Sequence, residues 1–308
     1  MKTVLRFWQT KWIHYSSPSP EELQALIKEY DFHELIEEDL LDTYVQPKID
    51  QYDNDIFVVL TFPKYNQQTR KYLINEFNAV LGKDYIVTIS TYEANHIAKI
   101  VEQYKADLAE SDIKDEEAYK VSPYYILYTT IDEMYNKTLK AQAGAMKDIL
   151  MLENSVSSND ITQIPLHELM KKKANSTFLK YTFLPQKTIL MEIQKACIGF
   201  YDGDLDVYFE DLESKLDKIL TNSMIMIETL QSITETYDET INNQMNAIMR
   251  VLTLLTAITW VLSLLMSFYS MNIKVPLMSS DSAWWILLLI MFSLIILMVF
   301  IFKKKKWM

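Results

Sequence analysis

Side chains able to do chemistry are sparse in this chain. Cys197 is the lone cysteine and has no partner for an intrachain disulfide, as fits a reducing compartment. No Walker-type loop, HExxH helix or GxSxG elbow occurs, and four glycines are too few for a phosphate cradle. The sequence therefore reads as a non-enzyme, and no catalytic residue is assigned. Two kinds of polar grouping remain. Tyr269-Ser270-Met271-Asn272 closes a long apolar run, where an asparagine serves as a helix C-cap or offers a neutral carbonyl oxygen. Acidic stretches at Asp112, Asp115, Glu116 and Glu117, and again at Glu210, Asp211 and Glu213, either gather cations or form solvated faces.

The apolar runs position the first grouping. Val251 to Tyr269 and Ala283 to Phe302 carry no formal charge, and each has the roughly 20 residues a helix needs to cross a bilayer. Arg250 precedes the first run and Lys303 to Lys306 follow the second, whereas the short link between them has only Lys274. This basic bias predicts that both termini lie in the cytoplasm. Phe268, Tyr269, Trp284 and Trp285 at the outer ends, with Trp307 at the inner end, fit headgroup-level aromatic belts. Met1 to Tyr15 mixes charges with isolated apolar residues and does not read as a secretory signal. A cell-membrane protein with two spans is expected. The net charge of −11 argues against nucleic-acid binding.

Upstream, residues 1–108 read as a cytoplasmic mixed α/β domain. Its strands are expected at Thr3 to Trp8, Ile56 to Phe62, Tyr72 to Val80 and Tyr85 to Ser90, with helices after Ser19 and over Phe32 to Leu41. Residues 109–203 read as a helical hairpin, broken near Ser157 to Asp160 and kinked at Pro185. No glycine or proline interrupts the chain between Gly203 and Pro276. Phe209, Leu212, Leu216, Ile219, Met226, Leu230, Ile233, Tyr237, Ile241, Ile248 and Leu252 recur at helical spacing into the first span. One continuous helix of roughly 100 Å follows, with its stalk over 204–250 and its membrane part over 251–272. A stripe that long needs partners, so a symmetric homo-oligomer is expected.

In this setting Tyr269-Ser270-Met271-Asn272, followed by Pro276, resembles the Tyr-Gly-Met-Asn signature of the CorA family of divalent-cation channels. His33-Glu34-Leu35, Glu38-Asp39-Leu40, Gln46-Pro47-Lys48-Ile49-Asp50, Ile56 to Leu60 and Asn246-x-x-Met249-x-x-Leu252-Thr253 are similar to further family patterns. The resemblance implies an α+β fold: an α/β domain, a helical hairpin, a long stalk helix and two transmembrane helices, in a funnel-shaped homo-oligomer, a pentamer by family likeness. It implies a pore helix ending at 272, an outer loop over 273–282, a second span over 283–302 and a basic tail over 303–308.

By the same resemblance, Tyr269, Ser270, Met271 and Asn272 form the pore mouth. Neutral amide oxygens suit Mg²⁺, which dehydrates reluctantly and can be received with its water shell. Asn246, Met249 and Leu252 would line the inner pore, the last two as an apolar gate; ordinary stalk packing accounts for the same residues. Asp211 falls at the position of a regulatory Mg²⁺. Ser270 replaces the family's glycine, Trp260-Val261 stands where a proline is common, and Lys274 adds positive charge near the mouth. Mg²⁺ uptake is the leading expectation. Transport of Co²⁺, Ni²⁺ or Zn²⁺, or a non-conducting membrane-anchored scaffold, are the alternatives. Soft-metal transport would call for thiolate or imidazole, yet Cys197, His14, His33, His96 and His167 all lie outside the spans.

Overall fold

The computed structural model describes residues 2–7, 10–42, 45–91, 97, 100–102, 104, 120–157, 166–200, 206–271 and 283–305. The chain forms two compact units, residues 1–233 and 234–308. The expected acidic stretch at 107–117 lies outside the described residues, as do Asn272, the loop at 273–282 and Lys306.

The first unit is built on a six-stranded sheet: β1 (Lys2–Phe7), β2 (Thr10–Ser16), β3 (Lys48–Gln51), β4 (Ile56–Asn66), β5 (Lys71–Leu81) and β6 (Tyr85–Ser90), in the order β1-β2-β6-β5-β4-β3. All neighbours are antiparallel except β2 and β6. Side chains alternate between faces along a strand, so one strand feeds two cores. Ile13, Phe57, Val59, Val80 and Val87 pack with Leu26, Ile27, Ile36 and Leu40 from α1 (Pro20–Tyr30) and α2 (Glu34–Leu41). Trp12, Val58, Leu60, Phe77 and Ile86 face the other way, into a larger core with the remaining helices. Burial on both faces explains why Ile56 to Phe62 is an apolar run without alternation.

Helix α1 begins with a capping box: the Ser19 hydroxyl accepts from the Glu22 amide at 3.3 Å, and the Glu22 carboxylate accepts from the Ser19 amide at 2.9 Å. It ends at Asp31 in the left-handed region. At the start of α2 the His33 Nδ1 accepts from the Leu35 amide, and the imidazole stacks on Tyr52 at 4.4 Å.

The helices of the larger core are α3 (Pro123–Ser157), α4 (Leu166–Phe183), α5 (Gln186–Phe200) and the first part of α6 (Asp206–Tyr269). Pro185 does not merely kink a helix. It separates α4 from α5, because its missing amide and ring bulk break the ladder there. The break turns Gln186 inward. Its amide donates to the Thr61 carbonyl at 2.5 Å, its side-chain oxygen accepts from the Tyr135 hydroxyl at 2.9 Å, and it is fully buried. One glutamine thus ties α5 to β4 and α3. Along α6, Phe209, Leu212, Leu216, Ile219, Met226, Leu230 and Ile233 are buried in this core. The first half of the predicted stripe is therefore covered by its own chain rather than by other copies.

The second unit contains the rest of α6 and α7 (Ala283–Lys304). Each holds an 18-residue apolar window, of which only 6% and 0% is buried within the chain. Both are long and apolar enough to cross a membrane.

Two outcomes follow from the sheet and its core. Gln186→Leu strands the Tyr135 hydroxyl and should cost about 2 kcal/mol, read as a melting temperature lowered by several degrees in detergent. His14 is buried on β2 beside Thr88, with Nδ1 and the Thr88 hydroxyl 3.0 Å apart. Desolvation depresses its pKa to about 4. Above the unfolded value near 6.5 both states are neutral. As pH falls below that value the unfolded chain takes up a proton that the folded chain refuses, so stability drops by roughly 3 kcal/mol by the time pH passes 4. In His14→Gln this acid-side slope should shrink in melts between pH 7 and 4.

Candidate functional site

The C-terminal end of α6 is closed by Ser270. Its amide and its hydroxyl both donate to the Met266 carbonyl, at 3.0 and 2.9 Å, and the Met271 amide donates to the Phe268 carbonyl at 3.4 Å. Among the described non-glycine residues a positive φ occurs at Ser17, Asp31 and Arg70, and Ser270 is not one of them. Serine thus ends the helix without the conformational freedom for which glycine is used elsewhere. Tyr269, Ser270 and Met271 stand together at this end; Asn272, the fourth residue of the motif, lies outside the described residues.

Near the inner end of the apolar run, Asn246 and Met249 line one hollow of about 500 Å³ with Arg250, Thr253 and Leu254. Leu252 is not in its wall. Met249 and Leu252 are both more than half exposed, so no side chain of the same molecule covers them. Three threonines follow at three-residue steps. The hydroxyls of Thr253, Thr256 and Thr259 donate to the carbonyls of Met249, Leu252 and Leu255 at 2.7 to 2.8 Å, which satisfies them inside an apolar helix.

Asp211 is already engaged. Its carboxylate accepts from the Lys215 ammonium at 2.7 Å, one helical turn on, and from the Tyr128 hydroxyl at 3.3 Å. Lys215 also pairs with Asp132 on α3, so a single ammonium bridges two carboxylates from different helices. Burial works against its charge, but the hydrogen bonds to Asp132 and Asp211 prevail and hold its pKa above the usual lysine value. Of the other acids nearby, Glu213 reaches Lys187 at 4.0 Å. No group of three or more metal-ligating side chains occurs among the described residues. Within one chain the cation facing Asp211 is Lys215, and the carboxylate keeps 43% of its side chain exposed. The pairing with Lys215 was readable from the i,i+4 spacing; Asp132 and Tyr128, about 80 residues upstream, carried no signal in the sequence.

Comparison with known proteins decides what these parts belong to. Residues 8–304 match the family described as CorA-like Mg²⁺ transporter protein. The chain belongs to the CorA family. It is 25% identical over 264 residues to a putative metal ion transporter, YfjQ, of Bacillus subtilis, covering 85% of this chain and 78% of that one. It is 21% identical over 286 residues to the cobalt/magnesium transport protein CorA of Thermotoga maritima, covering 91% and 78%. The complete structure of the CorA magnesium transporter from Methanocaldococcus jannaschii superposes with a TM-score of 0.84 at 16% identity, covering 99% of this chain and 93% of that one.

The fold is therefore that of CorA: a mixed sheet with helices, a long helix and a C-terminal apolar helix. CorA proteins are membrane-embedded divalent-cation transporters rather than enzymes, and the two uncovered apolar windows of this chain are the matching parts.

The Lys215 bridge yields a direct test. Lys215→Met leaves Asp132 and Asp211 without their cation and should lower stability by about 1 kcal/mol, read in thermal unfolding. Asp211→Asn should reduce the Mg²⁺-dependent rise in melting temperature of the assembled protein if an intersubunit ion sits there, and leave it unchanged if Lys215 is the only cation at this carboxylate.

Proposed function

We propose that this CorA member is a Mg²⁺ uptake channel, a homopentamer whose first span lines a central pore and whose second span faces lipid. The supporting observation is the state of α6 beyond Ile233: Met249, Val251, Leu252 and Leu255 stay more than half exposed, on a helix whose apolar stripe up to Ile233 is buried by its own chain. A surface of this kind is covered either by lipid or by copies of itself, and copies around an axis create the path an ion needs. In that arrangement Asn246 meets the ion on the cytoplasmic side, and Met249 with Leu252 forms an apolar ring that closes by excluding water. Asn272 receives the hydrated ion at the outer mouth together with Tyr269, Ser270 and Met271.

The proposed orientation places both termini in the cytoplasm, on the basic bias of Arg250 and Lys303 to Lys306. The domain layout follows, with residues 1–108, 109–203 and 204–250 on the cytoplasmic side and 273–282 outside. Inward flux then needs no bound nucleotide for energy, because a dication gains about 4.6 kcal/mol per 100 mV. Ser270 is compatible with this mouth, since its own hydrogen is committed to the Met266 carbonyl and it takes no unusual backbone angle. Asp211, partly exposed beside Lys215, is the proposed position for a regulatory Mg²⁺ shared with a neighbouring copy. Co²⁺ is the second cargo to consider, given the name of the Thermotoga relative. Ni²⁺ and Zn²⁺ would find oxygen donors but neither thiolate nor imidazole in the spans.

Uptake into proteoliposomes with an inside-negative potential tests the proposal. The purified protein should carry Mg²⁺, with Co²⁺ competing. Asn272→Ala should abolish discrimination between Mg²⁺ and Ca²⁺; unchanged flux and selectivity would refute the asparagine filter. Ser270→Gly should leave Mg²⁺ flux within about threefold, because only one cap hydrogen bond changes. Paired Met249→Ser and Leu252→Ser substitutions should raise basal leak by wetting the constriction.

A further inference from the structure

Cations of the first unit meet carboxylates of the same unit at several places. Lys48 bridges Asp39 and Asp50, Lys215 bridges Asp132 and Asp211, and Arg70, Lys172 and Lys187 pair with Glu168, Asp148 and Asp217. The second unit differs. Arg250 on α6 and Lys303 and Lys304 at the end of α7 are exposed, and among the described residues no carboxylate lies within ion-pair distance of any of the three.

The sequence accounts for this. No Asp or Glu occurs between Glu239 and Asp281, and none follows Asp281. Asp281 precedes the start of α7, whose 22 residues put roughly 30 Å between its two ends, so it stands far from the lysines. The remainder of the chain has the opposite sign. Of the 30 basic and 41 acidic residues, six basic ones and one acid fall after residue 249, which leaves residues 1–249 at −16.

Two apolar runs bring the three charges to one level. A chain that crosses a bilayer twice begins the first span and ends the second at the same face, whichever way round it is inserted. Arg250 immediately precedes the first run and Lys303 immediately follows the second. Around α6, Arg250 stands about 100° from Met249. A Met249 that faces a pore therefore leaves Arg250 to one side, where its long stem can carry the guanidinium to the headgroups. The free carbonyls in the last turn of α7 favour a cation, but lysine beside lysine repels, and the sequence continues with Lys305 and Lys306. Positive charge concentrated in this way is relieved by a negative partner at the same level.

We propose that Arg250, Lys303 and Lys304 hold the phosphate of an anionic phospholipid at this membrane face. The inference rests on the two-span arrangement proposed above, and on neither Mg²⁺ nor flux. Guanidinium and ammonium groups bind phosphate by charge-assisted hydrogen bonds, and each basic residue beside an anionic membrane surface strengthens association roughly fivefold. A zwitterionic headgroup offsets its phosphate with its own cation. A soluble phosphate lacks the acyl chains that would lie along the uncovered apolar windows of α6 and α7.

The test uses the full-length protein in detergent with EDTA present. Phosphatidylglycerol and phosphatidylcholine with identical acyl chains are titrated separately, and bound lipid is counted by native mass spectrometry; glycerol 3-phosphate serves as the free headgroup. Phosphatidylglycerol is expected to bind at least about tenfold more tightly than phosphatidylcholine. Combined Arg250→Gln, Lys303→Gln and Lys304→Gln should bring it down to the phosphatidylcholine level. The charge-keeping set Arg250→Lys, Lys303→Arg and Lys304→Arg should retain the preference, and so should Lys274→Gln, which removes a cation from the other end of the spans. Melting curves identify a variant that misfolds; should the glutamine set do so, Arg250→Gln alone decides, with an expected loss of roughly fivefold. Equal binding of the two lipids would overturn the proposal. So would a preference unchanged in the glutamine set, as when acids of residues 1–249 occupy these cations, or glycerol 3-phosphate competing as well as the lipid. A protein that stays soluble without detergent would instead refute the two-span arrangement, a result distinct from any lipid preference.

Discussion

The backbone hydrogen-bond ladder of α6 continues through 64 residues, from Asp206 to Tyr269, while its surroundings change completely. Up to Ile233 the helix is a core element whose apolar stripe is covered by the strands and helices of its own unit. Beyond that residue the same periodic stripe is uncovered and turns into an apolar run long enough to cross a bilayer. A helix can make this passage because each amide is satisfied inside the segment, whatever solvent surrounds it. A strand or loop at the same place would have to find partners in hydrocarbon. The absence of glycine and proline between Gly203 and Pro276 is the sequence counterpart of that requirement.

What could be read from the sequence followed the strength of local patterns. Strands β4, β5 and β6 are rich in β-branched and aromatic residues and were legible. Strand β2 was not, because Thr10, Lys11 and His14 break the apolar character of a segment that is nonetheless almost wholly buried. Its polar residues are tolerated by pairing across strands: the Trp12 indole donates to the Thr88 hydroxyl, beside which His14 sits. Strand β3 has four residues at the sheet edge, too short for any alternation to register. Pro185 announced an interruption, but a kink and a complete break look alike until the buried glutamine behind it is seen.

The candidate site residues divide in the same way. The motif at the end of α6 and the stretch around Met249 stand out in the sequence because they are contiguous or helically spaced. The environment of Asp211 was not, since its meaning depends on Asp132 and Tyr128 arriving from α3. A carboxylate that would attract a metal ion in isolation is, in the folded chain, half of a lysine bridge.

The three back-bonded threonines in the apolar run of α6 bear on mechanics. The carbonyls of Met249, Leu252 and Leu255 each accept a hydroxyl in addition to their place in the helical ladder. Shared acceptors of this kind loosen the ladder and favour bending. Two of the three belong to Met249 and Leu252, the residues of the proposed constriction. In the proposed pore, bending at this cluster would change the width of the constriction itself, so a small local flexure would open the path.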